Sequence, residues 1–147
     1  MTAFDLRTRY DTILCLFSSI AYARTTDRVI AALRCFRAHL EPGGLIVVEP
    51  WFSPGVLEDG RISLNTAEAP GLKVCRMART EVDGRVSRLH FQYLVGRPSG
   101  ITHATEVHEL GLFTTEEMLS YFREAGLEAR HETEGLIGRG LFLARAV

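Results

Sequence analysis

The chain has 147 residues, of which 46% are hydrophobic, and its formal net charge is −1. This length suits one domain with its own core and is too short for two domains of ordinary size. A charge so close to zero gives no global field that would gather nucleic acid or an anionic membrane, so neither is an expected partner. No apolar run has the length of a membrane span, and the first residues are charged where a signal peptide is apolar, so the expected compartment is the cytoplasm.

The first part of the chain has the pattern of a strand, a helix and a second strand. The apolar run in Tyr10–Phe17 predicts a central parallel strand that is covered on both faces. A capping threonine pair at residues 25–26 begins a run of apolar positions at helical spacing, which ends at Pro42-Gly43-Gly44. The second strand is Leu45–Glu49. A right-handed crossover makes the two strands parallel neighbours, so their carboxyl ends are expected side by side.

The middle of the chain predicts a loop followed by antiparallel strands. Residues 52–70 are rich in Gly, Pro, Ser, Asp and Asn without a clear period, which indicates a long loop over the carboxyl edge of the sheet. A hairpin follows, with strands Leu72–Glu81 and Arg85–Gly96 around the turn residues Asp83-Gly84. Ile101–Leu112 is predicted as a third antiparallel strand.

The last part predicts one helix and a closing pair of strands. Thr114 and Glu117 have the spacing of a capping box, and Gly126 is suited to the left-handed position that ends a helix. The closing strands are Leu127–Glu134 and Leu141–Arg145, joined through a glycine-containing turn. The fold class is therefore α/β, in one domain of three parts: 1–51, 52–112 and 113–147.

The cysteines and the candidate metal ligands do not form a recognisable metal site. Cys15, Cys35 and Cys75 are odd in number and widely spaced in apolar stretches, so reduced core thiols are expected. Strand alternation places Glu106 and His108 on one face and His103 on the other, which separates three potential ligands. No metal is expected.

Short blocks along the whole chain resemble a known family. They are Phe4-Asp5-Leu6, Tyr10-Asp11, Leu16-Phe17-Ser18-Ser19-Ile20, Leu40-Glu41-Pro42-Gly43-Gly44, Glu49-Pro50-Trp51, Glu106-Val107-His108-Glu109, Leu112-Phe113 and Gly138-Arg139-Gly140-Leu141-Phe142. In this order they are similar to class I S-adenosylmethionine-dependent methyltransferases, above all to the N,N-dimethyltransferases that act on nucleotide-linked amino sugars in macrolide biosynthesis. The Pro-Gly-Gly block is common, whereas the Phe-Ser-Ser, Glu-Pro-Trp and Gly-Arg-Gly-Leu-Phe blocks are more specific.

The resemblance implies a Rossmann-like methyltransferase sheet of which this chain is the carboxyl-terminal part, with the antiparallel region as a substrate-side insert. In that family the Gly-rich turn and the acids that hold the cofactor's nucleoside precede the position of Met1, and residues 1–147 contain no such turn between a strand and a helix. The sequence thus predicts half of a site and an exposed strand edge. A missing amino-terminal segment, or a second copy of the chain, would cover that edge.

The strand ends supply the candidate cofactor residues. Phe17, Ser18 and Ser19 leave the first strand where an α/β sheet places its ligand, and the resemblance favours a wall for S-adenosylmethionine. The alternative is an approach turn in which the serines make local hydrogen bonds. Tyr22 is a candidate substrate residue, although Ala21 stands before it where the family commonly has glycine, which leaves the aim of its ring open.

Three further residues are candidates for binding a small-molecule amine or a nucleotide-sugar acceptor. Glu49 can orient a hydroxyl or an amine, and Trp51 can form a floor for a sugar, or alternatively cap the core. Arg139 lies between two glycines, so its guanidinium is expected to be free to reach a phosphate, and the resemblance places it near the sugar nucleotide. The alternative for Arg139 is a solvated hairpin residue.

The insert offers a candidate base and a candidate basic patch. His108, or His90 in its place, can accept the proton of an ammonium near neutral pH, and a surface or hydrogen-bonded role is the alternative. A patch for a pyrophosphate on the hairpin is a minor hypothesis, since charged strand faces are common. Its members are Arg76, Arg79 and Arg88.

Two functional hypotheses follow. The leading one is a fragment of an S-adenosylmethionine-dependent N-methyltransferase for a nucleotide-linked amino sugar or similar small amine, in which catalysis consists mainly of positioning the amine against the methyl group. The second is a non-catalytic remnant that pairs with another chain through its strand edge or binds only an acceptor-like ligand.

Overall fold

The computed structural model describes all residues from Met1 to Val147. Its contacts define two compact units, residues 1–54 with 110–147, and residues 55–109. No helix in either unit is long and apolar enough to cross a membrane. The arrangement of the three predicted parts as one partial methyltransferase domain stays a prediction.

The first unit is built on a four-stranded sheet in the order β1-β2-β8-β7. Its strands are β1 (Tyr10–Cys15), β2 (Leu40–Val48), β7 (Leu127–Glu132) and β8 (Leu141–Ala146). The parallel pairing of β1 with β2 confirms the predicted strand-helix-strand unit, and β8 runs antiparallel to both β2 and β7. The mixed sheet and its helices confirm the α/β class.

Helix α1 (Thr26–Ala38) connects β1 and β2, and its apolar face is fully buried at Val29 and Leu33. The sequence pattern predicted a helix that runs up to Pro42. Helix α1 instead ends at Ala38, and β2 begins at Leu40. The register between the strands then shifts, from Tyr10 opposite Leu40 to Thr12 opposite Leu45. Gly43 adopts φ +79° in this irregular stretch, a conformation that glycine reaches without steric cost.

Helix α2 (Thr115–Glu124) begins with the predicted capping box. The backbone N–H of Glu117 donates to Thr114 Oγ1 over 3.2 Å, and the backbone N–H of Thr114 donates to Glu117 Oε2 over 2.8 Å. These two bonds satisfy donors that have no partner within the helix. Gly126 follows with φ +75°, as expected for a left-handed helix stop.

The two helices and the sheet share one hydrophobic core in the first unit. Phe122 of α2 and Phe142 of β8 are fully buried, and their ring centroids lie 5.5 Å apart. Cys15 also belongs to this core, and burial raises the pKa of its thiol to about 11. All three cysteines are free thiols, and Cys35 and Cys75 are half-buried.

Strand β1 differs from its prediction as a central strand covered on both faces. It lies at the edge of the sheet with β2 as its only neighbour, and the side chain of Leu14 is 60% exposed. The apolar composition of β1 is that of a covered strand, but residues 1–147 place no second neighbour beside it. The exposed edge implied by the family resemblance is therefore present.

The second unit is a four-stranded sheet in the order β3-β4-β5-β6. Its strands are β3 (Ile62–Ala69), β4 (Leu72–Asp83), β5 (Val86–Arg97) and β6 (Gly100–Gly111). The predicted hairpin is confirmed, since Asp83 pairs with Val86 across the turn that contains Gly84. The predicted sheet region is thus an antiparallel meander.

The prediction of one long loop over residues 52–70 is wrong for its second half. Residues 62–69 form β3, which pairs with β4 along its whole length, from Ile62 opposite Arg79 to Ala69 opposite Leu72. Every side chain of β3 is exposed. The strand therefore lacks the alternation of buried and exposed positions by which strands are recognised in sequences, and its backbone ladder holds it in place.

Candidate functional site

The carboxyl ends of β1 and β2 meet at a buried carboxylate. The backbone N–H of Glu49, directly after β2, donates to the carbonyl of Cys15 over 2.9 Å. The Glu49 side chain is only 3% exposed, and its Oε2 accepts a 2.6 Å hydrogen bond from the backbone N–H of Phe17. The prediction that the two strand ends lie side by side is confirmed.

The turn after β1 has an uncommon backbone. Phe17 and Ser18 have φ values of +54° and +57°, in the left-handed region that residues other than glycine rarely adopt. The turn buries Ser18 completely and leaves the side chain of Phe17 85% exposed. Residues held in such backbone conformations cluster at active sites and ligand clamps.

The two serines of this turn make the local hydrogen bonds of the alternative interpretation. Ser18 Oγ donates to the carbonyl of Pro50 over 2.7 Å, and Ser19 Oγ donates to the carbonyl of Leu16 over 2.5 Å. Both hydroxyl protons are therefore used in shaping the turn. The Phe17 ring is the part of the predicted cofactor wall that projects from it.

Arg139 lies in the turn between β7 and β8, and its guanidinium turns inward to Glu49. Its Nη2 donates to Glu49 Oε1 over 2.9 Å, and its side chain is only 21% exposed. The expectation of a free guanidinium is therefore wrong, and so is the alternative of a solvated residue. The two flanking glycines drew attention to Arg139 in the sequence. Its partner Glu49 lies 90 positions earlier, so nothing in the sequence around Arg139 indicates this contact.

Close packing of glycines explains the shape of this turn. Gly140 has φ +81°, and a Cβ atom there would lie 2.2 Å from Nε2 of His131. A Cβ atom on Gly135 would lie 2.4 Å from the carbonyl carbon of Gly140. The two glycines are therefore needed for the backbone to fold back tightly enough to direct Arg139 toward Glu49.

Two aromatic rings complete the cluster around Arg139. The guanidinium carbon lies 5.3 Å from the ring centroid of Trp51 and 5.6 Å from that of Phe52, distances typical of cation–π contacts. The two rings meet edge to face at 4.7 Å. Arg139 Nε is buried and has no hydrogen-bond partner. The structure thus brings together Glu49, Trp51, Arg139 and the backbone of Phe17.

Tyr22 lies in a short 3-10 turn, Ser19–Ala23, between β1 and α1. Its side chain is 44% exposed. The residue before it, Ala21, stands where the family commonly has glycine, and it is buried. Arg24, which ends this turn, has φ +63°. The role of Tyr22 in binding a substrate stays a prediction.

His108, the predicted base, lies on β6 at the margin of the second unit. Its Nε2 lies 3.2 Å from Glu106 Oε2, which also accepts a 3.0 Å hydrogen bond from the hydroxyl of Tyr93. Hydrogen bonding by His108, and then by Tyr93, lowers the pKa of Glu106 below its usual value. The His108 ring also meets Phe91 edge to face at 5.2 Å. A base role for His108 stays a prediction.

The other face of the same sheet carries a network of ion pairs. Arg88 donates to Glu109 and Glu81, each over 2.9 Å, and to Asp83 over 3.2 Å. The three carboxylates raise the pKa of the Arg88 guanidinium, and His90, followed by Arg88, lowers the pKa of Glu81. Arg88 is therefore committed to carboxylates, and the hypothesis of a pyrophosphate patch is wrong for it.

The remaining members of the predicted patch and of the metal set also have partners in the sheet. Arg76 donates to Asn65 over 3.1 Å and lies 5.0 Å over the ring of Phe91. His103 contacts Gln92 over 2.7 Å, away from His108. The structure contains no group of three His, Cys, Asp or Glu side chains that could hold a metal ion.

Comparison with solved structures identifies the class of protein to which this fold is similar. Over 99% of its length, the chain matches 62% of an S-adenosylmethionine-bound amino pentose methyltransferase, CalS10 from Micromonospora echinaspora, with a TM-score of 0.86 and 36% identity. It matches DesVI from Streptomyces venezuelae over 99% of its length and 62% of that chain, with a TM-score of 0.94 and 34% identity. The fold is therefore that of methyltransferases that use S-adenosylmethionine.

The sequence relatives are more specific. The chain is 39% identical over 143 residues to a dTDP-3-amino-3,6-dideoxy-alpha-D-glucopyranose N,N-dimethyltransferase from Streptomyces fradiae. The predicted resemblance is confirmed, since the homologues of this chain are dTDP-amino-sugar N,N-dimethyltransferases. These matches cover 95 to 97% of this chain, and the chain spans 56 to 61% of the relatives' length. No protein-family model matches it.

Proposed function

We propose that residues 1–147 form the carboxyl-terminal, acceptor-side part of an S-adenosylmethionine-dependent N-methyltransferase for a nucleotide-linked amino sugar or a similar small amine. The observation that carries the proposal is the Arg139 guanidinium, held against an indole ring with its Nε buried and unpaired. A buried donor without a partner costs about 1–3 kcal/mol, which a ligand acceptor would offset on binding.

The chemistry of the cluster suits a nucleotide sugar. A guanidinium N–H donates a charge-assisted hydrogen bond to a phosphate oxygen, and a flat aromatic surface packs against the apolar face of a sugar. Trp51 and Phe52 supply that surface beside Arg139. Because Glu49 holds the Nη2 atom, the proposed contact to the acceptor is through Arg139 Nε. Tyr22 is proposed as a second substrate residue.

The proposed reaction depends on position more than on a chemical group of the protein. S-Adenosylmethionine, when bound, would supply a sulfonium methyl carbon that the amine lone pair attacks in line, while the C–S bond breaks and the neutral thioether leaves. Orienting an amine at near-attack distance can contribute several kcal/mol, on the order of 7–11 for ideal alignment. His108 is proposed to take the proton that the methylated amine releases. Phe17 is proposed as the wall for the cofactor, and the hydroxyls of Ser18 and Ser19 support the turn that presents it.

The other half of the cofactor site is proposed to come from outside residues 1–147. The chain spans 56 to 61% of its relatives, and the free edge of β1 could accept a further strand. We propose that an amino-terminal segment, or failing that a second copy of the chain, pairs there, since an unpaired strand edge binds other strands readily. A cytoplasmic location is part of the same proposal.

A second candidate function is a non-catalytic remnant that pairs with another chain or binds only an acceptor-like ligand. The exposed apolar side chain of Leu14 on the free edge of β1 favours it. The two candidates differ in the behaviour of a longer protein that includes an upstream strand and Gly-rich turn. The enzyme gains methyl transfer in that form, and the remnant does not.

Isothermal titration calorimetry with dTDP, the nucleotide part of the relatives' substrates, tests the acceptor site. Arg139→Ala should weaken dTDP binding by at least about tenfold, because a hydrogen bond to a charged group contributes about 1.5–3 kcal/mol. Arg130→Ala is the matched control, since Arg130 lies on β7 with a 72% exposed side chain paired to Glu132. In the longer protein, Arg139→Ala should weaken dTDP binding more than it weakens S-adenosylmethionine binding. Equal losses for both ligands would contradict the assignment.

A further inference from the structure

We propose that Glu49 is a positioning residue, which clamps the Phe17–Ser18 turn to Arg139 and thereby fixes the side chain that receives the acceptor. This inference rests on the proposed function. It replaces the expectation that Glu49 itself orients a substrate amine or hydroxyl. Its starting point is that both carboxylate oxygens are occupied, Oε2 by the Phe17 N–H and Oε1 by Arg139 Nη2.

Both carboxylate oxygens of Glu49 already hold a donor in this conformation. Its side chain is 3% exposed, so a ligand would have to displace one of the two bound donors to reach a carboxylate oxygen. A carboxylate at this depth needs compensating donors, and the two present are a backbone amide and a cation. Glu49 therefore acts on a ligand through the groups that it holds.

The two hydrogen-bond partners of Glu49, the Phe17 amide and the Arg139 side chain, are both costly to keep in one conformation. Phe17 and Ser18 sit in left-handed conformations, which persist only where the surroundings fix them. Arg139 has a long side chain whose free rotamers are costly to order, and Glu49 holds its Nη2 atom while the rings of Trp51 and Phe52 lie against it. With Nη2 tied to Glu49, the direction of the unpaired Nε is set before any ligand arrives.

One carboxylate thus couples the proposed cofactor wall to the proposed acceptor site. If Arg139 moves, Glu49 loses the hydrogen bond to its Oε1. If Glu49 then moves, the Phe17 N–H loses its acceptor and the turn that presents the Phe17 ring loosens. Groups that share one hydrogen-bonded network respond to mutation non-additively, which makes the coupling measurable.

The first test reads the position of Arg139 without any ligand. Trp51 is the only tryptophan of the chain, and the Arg139 guanidinium covers one of its faces. Glu49→Gln keeps the size of the side chain and removes its charge, so Arg139 should leave the indole and acrylamide should quench Trp51 fluorescence more efficiently. Arg139→Met should give a similar increase, and the double variant should show no further increase. Glu132→Gln, at an exposed position of β7, is the control that should change nothing.

The second test reads the other end of the clamp. The Phe17 amide proton, bound to a carboxylate at 2.6 Å, should resonate downfield in the wild type and move upfield in Glu49→Gln. Arg139→Lys, which leaves the carboxylate in place, serves if Glu49→Gln does not fold. Its Phe17 amide should also move, because Glu49 loses its planar partner. An unchanged Trp51 signal in Glu49→Gln, or an unchanged Phe17 amide in Arg139→Lys, would overturn the proposal.

Binding of dTDP then separates this inference from the proposed function. Glu49→Gln should weaken dTDP binding by about tenfold, which corresponds to about 1.4 kcal/mol. If the wild-type chain binds no dTDP, the proposed acceptor site is wrong, and the fluorescence and amide signals still decide the clamp. If dTDP binds equally well to wild type and to a folded Glu49→Gln, the positioning role is wrong and the acceptor site stands.

Discussion

Removing Arg139 should destabilise the chain mainly through the carboxylate that it leaves behind. In Arg139→Met, the Glu49 carboxylate stays 3% exposed and keeps only the Phe17 amide as a donor. Breaking a buried ion pair from one side typically costs about 3–5 kcal/mol. Since the Arg139 side chain is itself 21% exposed, water reaches part of the pair, and we expect a loss near the lower limit, about 3 kcal/mol.

The double variant Glu49→Gln/Arg139→Met should recover most of that loss. Without the charge, the buried side chain needs no cation, and the neutral amide oxygen still accepts from the Phe17 N–H. We expect the double variant to lie within about 1 kcal/mol of the wild type, which gives a coupling energy of about 2 kcal/mol or more. Urea unfolding followed by circular dichroism measures all four corners of the cycle, provided that the m-values agree.

The exposed pair Arg130–Glu132 in the same sheet is the internal control for this cycle. Its side chains are 72% and 48% exposed, and a pair of this kind contributes at most about 1 kcal/mol. Additive effects at Glu49 and Arg139, within about 0.5 kcal/mol, would refute the reasoning, because two groups that stabilise each other in a buried site cannot be independent.

Three further predictions concern the fold. Burial raises the pKa of the Cys15 thiol from 9.0 to about 11, so the unfolded chain releases the thiol proton at a lower pH than the folded chain does. The free energy of unfolding should therefore fall between pH 9 and pH 11. This fall should be larger in the wild type than in Cys15→Ala, by up to about 2–3 kcal/mol. Thr114→Ala should lower the free energy of unfolding by about 1 kcal/mol through loss of the capping box, and Thr114→Ser should lose much less; equal losses in urea unfolding would contradict the capping role. Leu14→Lys should reduce self-association in analytical ultracentrifugation without lowering stability, since Leu14 is 60% exposed on a free edge; unchanged association would show that this edge is not a contact surface.

The elements with strong local signals could be predicted from the sequence. The capping box at Thr114 and the stop at Gly126 define α2, and the apolar spacing from Val29 onward defines α1. The turn at Gly84 fixes the register of β4 and β5. In each case the residues that determine the structure lie within a few positions of one another, so a single sequence contains the information.

The features that could not be predicted depend on distant partners. Strand β3 has no buried face and is defined by its pairing with β4. The edge position of β1 depends on which strands are present, and its apolar composition does not reveal that. Arg139 and Glu49 lie 90 positions apart, so nothing near Arg139 indicates that its guanidinium turns inward. The glycines on either side of Arg139 predicted a free guanidinium, whereas the tertiary structure pairs it with Glu49.

The environment of Arg139 Nε is where the proposed acceptor site can be tested most directly. This atom is a buried donor without a partner, so its N–H resonance in a nitrogen–proton correlation spectrum, assigned with Arg139→Lys, reports the arrival of an acceptor atom. On addition of dTDP the resonance should move downfield and exchange more slowly with water, while the Nε resonance of Arg130 stays in place. A titration in which dTDP shifts other resonances and leaves that of Arg139 unchanged would contradict the assignment of this cluster to the acceptor.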